Sequence, residues 1–110
     1  MNKLIVAVIQ DKDSMRLMEA LVEKGYRSTK LASTGGFLRE GNTTLLIGVE
    51  DRQIDEVVGI IKKTCRSREQ LVTPISPVGG PTDLYVPYPV EVVVGGATIF
   101  VLDVDRFEKV

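Results

Sequence analysis

The alternation of apolar and polar positions divides the chain into short, well-separated segments. Residues 4–9 (Leu-Ile-Val-Ala-Val-Ile) are continuously apolar and rich in β-branched side chains, the pattern of a strand buried on both faces. Asp13 or Ser14 is placed to cap a following helix, in which Met15, Met18, Leu21 and Val22 recur at helical spacing before Gly25 ends it. Residues 26–33 and 43–50 read as two further strands, the latter with Leu45, Ile47 and Val49 alternating with Leu46 and Gly48. Asp51 is the expected cap of a second helix, whose Ile54, Val57, Val58, Ile61 and Cys65 form one apolar stripe. Residues 90–94 and 97–104 read as a hairpin closed by Gly95-Gly96.

This order, β-α-β-β-α-β with one extra strand, predicts an α+β ferredoxin-like fold with two helices on one face of an antiparallel sheet. The first and third strands are apolar on the face the helices leave bare. A second copy of the chain would hide that face, so an oligomer is expected.

Two connections stand out. Residues 34–42 are longer than a hairpin needs and carry Phe37 and Leu38 among three glycines. The segment between Arg66 and Pro89 contains all five prolines of the protein and reads as a long connection without regular structure.

Composition narrows the chemistry. At 110 residues the chain is one domain, with 44% hydrophobic and 26% charged residues. No apolar run is long enough to insert in a membrane and the start lacks signal-peptide anatomy, so a cytoplasmic protein is expected. The absence of histidine removes histidine-based catalysis and the common zinc sites, and no metal site is expected. A net charge of −1 argues against a nucleic-acid partner. An RNA-binding sheet of this topology would also need aromatics on its open face.

A small anionic ligand remains. Gly35-Gly36 can present backbone N–H groups to a phosphate, with Arg27, Thr29, Lys30, Arg39 and Asn42 nearby as donors. Phe37 beside them is the layout of a base stacked on a ring; the competing reading turns Phe37 into the core and leaves the glycines to shape the turn. Asp103 and Asp105 read as structural or solvated carboxylates, and Cys65 as a core residue.

The segments TKLASTGGFLREGNTTLLIGVED, REQLVTPISPVGG and VPYPVEVVVGGATIFVLDVDRFE strongly resemble the PII-like cyclic-di-AMP receptor family, PstA/DarA. The resemblance runs through nearly the whole chain and implies a homotrimer with cyclic-di-AMP in each cleft between subunits. Residues 34–42 would be a shortened T-loop and 67–89 an enlarged B-loop. The family's ligand contacts fall on Arg27, Thr29, Gly36, Phe37, Leu38, Asn42, Gly48 and Phe100. The charged ending, residues 105–110 with Lys109, departs from the polar ending of such proteins. The expected function is a non-enzymatic second-messenger sensor, without a cofactor, that signals to a partner protein through its loops. The alternatives are a PII-type regulator binding ATP or another nucleotide, and a nucleotide-processing enzyme.

Overall fold

The computed structural model describes residues 1–31, 41–72 and 90–110. Four strands form one antiparallel sheet in the order β2-β3-β1-β6: β1 (Lys3–Gln10), β2 (Thr29–Leu31), β3 (Asn42–Val49) and β6 (Ala97–Asp103). Two helices, α1 (Asp11–Glu23) and α2 (Ile54–Cys65), pack on one face. A separate two-stranded sheet pairs β4 (Arg68–Val72) with β5 (Val90–Val94).

The core follows from the strand period of two. Ile5, Ala7 and Ile9 of β1 and Leu45, Ile47 and Val49 of β3 point toward the helices and are buried. Leu17 and Leu21 of α1 and Val57, Ile61 and Cys65 of α2 close over them. The alternate residues Leu4, Val6, Val8 and Leu46 lie on the other face and are only half-buried in the single chain.

The ends of α1 show one expectation met and one corrected. Gly25 takes φ 86°, its N–H bonds to the Val22 carbonyl and the Tyr26 N–H reaches the Leu21 carbonyl, so a left-handed glycine stops the helix as expected. At the other end the helix already begins at Asp11, with Gln10 as the N-cap residue and no side-chain cap bond, so neither Asp13 nor Ser14 caps it. The second helix is likewise not capped by Asp51. Glu50 and Gln53 form a reciprocal capping box around a single 3-10 turn, Asp51–Gln53, that leads into α2.

Three strand expectations are corrected. The segment after Arg66 is not wholly irregular, because Arg68–Val72 pairs with β5. Within residues 26–33, only Thr29–Leu31 lies in the described part of the sheet, since Tyr26 belongs to the helix stop and residues 32 and 33 lie outside the described residues. Residues 90–94 and 97–103 do not form a hairpin with one another, because β6 pairs with β1. Gly95 and Gly96 do take the positive φ values a tight turn needs, 83° and 94°. Their N–H groups, however, bond to Gln10 Oε1 and the Cys65 carbonyl rather than across the turn. A Cβ at position 95 would come within 2.6 Å of the Arg66 carbonyl, so this crossing between sheets requires glycine.

Candidate functional site

The sheet face opposite the helices carries four residues of the expected site, Thr29, Asn42, Gly48 and Phe100. Antiparallel register sets Thr29 opposite Leu46, Leu46 opposite Val6 and Val6 opposite Phe100. These four residues form one row across all four strands, with polar Thr29 on one outer strand and aromatic Phe100 on the other. Phe100 is 52% exposed and its neighbour on the same face, Leu102, 48%. Large apolar side chains this open on adjacent positions of a sheet face are suited to being covered.

Gly48 lies in the next row, opposite Leu4, which faces Leu102. The absent side chain matters there, because a Cβ at position 48 would collide with the thioether end of Met1. In the other direction, Asn42 is the first residue of β3, set opposite Gln10, so it belongs to the strand and not to the preceding loop. Arg27 is exposed, two residues before β2. Gly36, Phe37 and Leu38 lie outside the described residues, as do Gly35 and Arg39.

The structure thus brings Thr29, Gly48, Asn42 and Phe100 onto one face without bringing them into one contact. Three strand spacings separate Thr29 from Phe100, about 14 Å. A single adenine cannot touch both within one chain.

Sequence reasoning missed two features. One is a depression of about 280 Å³ at the Asn42 end of the face, to which Thr98 and Gln10 contribute beside Gly95 and Gly96. Its signal was the period of two, which sets Thr98 on the same face as Phe100. The other is an ion cluster that holds β4 to α1. Asp13 is fully buried and accepts from Arg16 at 2.6 Å and from Arg68 at 2.9 Å. Burial by itself would raise the Asp13 carboxyl, but the Arg68 and Arg16 hydrogen bonds outweigh it and hold the group below its ordinary value of 3.8. The Asp13–Arg16 spacing of three is a local signal for half of this cluster, but none marks Arg68, 55 residues from Asp13.

The remaining chemically notable groups are structural. Asp103 pairs with Lys3, and that hydrogen bond raises the lysine pKa. The Cys65 thiol is pushed up to about 11, first by burial and then by the Asp13 charge. It is a core residue as expected. Among the described residues no group of histidine, cysteine and carboxylate side chains is placed to hold a metal, and no helix is long and apolar enough to cross a membrane.

A family model described as "Cyclic-di-AMP receptor" matches residues 2–110. The chain is also similar to the crystal structure of a functionally unknown protein from Pediococcus pentosaceus ATCC 25745, with 44% sequence identity and a TM-score of 0.78. That match covers 99% of this chain and 97% of the other. With nearly every residue inside the family model, the chain belongs to the cyclic-di-AMP receptor family.

Proposed function

We propose that the protein is a non-enzymatic cytoplasmic sensor that binds cyclic-di-AMP in clefts between the subunits of a homotrimer and signals to a partner through its loops. The observation that carries the reading is the single row Thr29–Leu46–Val6–Phe100, with its polar and aromatic ends on opposite outer strands. Ends that far apart serve one ligand most simply when the Thr29 edge of one subunit meets the Phe100 edge of the next. Association would also cover Leu4, Val6 and Leu46, which the helices leave half-exposed. The sheet order β2-β3-β1-β6 with both helices on one side supports a ferredoxin-like, PII-like protomer.

In this reading Arg27 meets a phosphate, Thr29 supplies a hydroxyl, Gly48 lets the ligand approach the backbone, and Phe37, Leu38 and Phe100 flank adenine. Gly36 brings a backbone N–H close to the phosphate, and Asn42 bonds a base edge. The connections between β2 and β3 and between β4 and β5 change conformation on binding, and the altered surface is read by the partner. A ligand drives such a change only by its difference in affinity for the two states.

Calorimetry combined with light scattering tests the proposal. The expected result is about three chains per particle, one cyclic-di-AMP per chain, much weaker binding of ATP, and intact nucleotide after long incubation with magnesium. A stable monomer, a preference for ATP, or turnover of cyclic-di-AMP would each overturn it.

A further inference from the structure

We propose that Thr98 is a ligand contact of this site, pairing with Asn42 to read the hydrogen-bonding edge of adenine in the depression at the β1–β6 end of the sheet face. The inference rests on the cyclic-di-AMP reading above and adds a specificity residue to it. The depression has a volume of about 280 Å³, near the lower end of small-molecule pockets, roughly 300 Å³. Val8 contributes to its lining, opposite Thr98 on β6 and Thr44 on β3, while Asn42 stands two pairs further along, opposite Gln10. Thr98 and Asn42 therefore flank β1 from its two neighbouring strands.

The chemistry of the lining selects the group it takes. Among the described residues no lysine or arginine lines the depression. The Gly95 N–H already bonds to Gln10 Oε1 at 2.6 Å, and the Gly96 N–H to the Cys65 carbonyl, so the glycine turn has no N–H left for an anion. Among the described residues a phosphate thus finds neither charge nor a free backbone donor here. Among the described residues, the Thr98 hydroxyl and the Asn42 carboxamide have no side-chain hydrogen-bond partner, and both are exposed. A carboxamide matches the N6 donor and N7 acceptor of adenine, and a hydroxyl adds one bond of either sense. The neutral base edge belongs at this end of the face, and the phosphates belong toward Arg27.

Calorimetry on full-length Thr98→Val and Thr98→Ser, at low and high salt, tests the assignment. Valine keeps the shape of threonine and removes the hydroxyl. Loss of one neutral hydrogen bond should weaken cyclic-di-AMP binding by roughly 3- to 10-fold, equally at both salt concentrations, and serine should restore most of it. If the parent protein binds cyclic-di-AMP and Thr98→Val binds it as tightly, Thr98 is not a contact while the receptor reading stands. A loss that serine fails to restore, at unchanged melting temperature, also overturns the hydroxyl's role. If the parent protein does not bind cyclic-di-AMP, the receptor reading itself falls and this inference falls with it.

Discussion

Arg68 Nη2 lies 2.9 Å from Asp13 Oδ1 and so ties the first strand of the small sheet to the first turn of α1. The carboxylate is fully buried, and Arg16 on its own helix is its other charged partner. Removing Arg68 as Arg68→Met should lower unfolding stability by about 1–3 kcal/mol, the range for a hydrogen bond to a buried charge. Because the folded state holds Asp13 below its ordinary value of 3.8, the stabilisation is complete above that value and is lost as pH falls through the lower folded value. Urea unfolding of parent and variant, at one protein concentration from about pH 7 to about pH 2, should show the two converging in acid.

If Arg27 meets a phosphate as proposed, Arg27→Ala should weaken cyclic-di-AMP binding by about 1.5–3 kcal/mol, with a difference that shrinks as salt rises, the mark of a lost charge-assisted bond. Phe37→Ala should cost about 1–3 kcal/mol with little salt dependence, as expected for a lost base stack. Calorimetry across a salt series separates the two. Unchanged affinity in both variants would place the ligand elsewhere.

Gly48→Ala separates folding from binding. The atoms nearest the added methyl belong to the flexible end of Met1, which can swing away, so stability should change by no more than about 0.5 kcal/mol. If ligand packs on that backbone as proposed, it has no such freedom, and affinity should fall by about 1–3 kcal/mol from overpacking. Thermal unfolding and calorimetry on the same sample give both values.

Cys65 should resist alkylation in the native protein. Its thiol is buried and its pKa stands at about 11, so the reactive thiolate is scarce near neutral pH. Iodoacetamide labelling followed by mass spectrometry should show rapid reaction only in denaturant.

Much of the fold is legible in the sequence where one period dominates. The alternation in β3 and the three-four repeat of α2 place core residues, the continuous apolar run of β1 marks a strand without showing which side meets the helices, and Gly25 marks its helix end because few other residues tolerate its φ. The errors arise where a long-range partner outweighs a local signal. Gly95-Gly96 has the backbone freedom of a hairpin turn, yet the open edge of β1 captures β6. Arg68–Val72 has a weak alternation, and its partner β5 lies beyond a proline-rich stretch. Asp13 carries the signature of a cap, while its true partner Arg68 is remote in sequence. For the site, resemblance supplies Thr29 and Phe100, but only the register shows that they occupy opposite ends of one row.

The central claim is a cyclic-di-AMP site shared between subunits, and subunit mixing tests it most directly. Chains carrying Arg27→Ala with Thr29→Ala are co-assembled with chains carrying Phe100→Ala, each variant alone being a weak binder. If the site joins one chain's Arg27–Thr29 edge to its neighbour's Phe100 edge, each mixed trimer has one intact interface, about one in four over a random equimolar assembly, and calorimetry should recover that fraction of tight sites. If mixing restores no tight binding although the two chains demonstrably share particles, the site lies within a single chain and the account is contradicted.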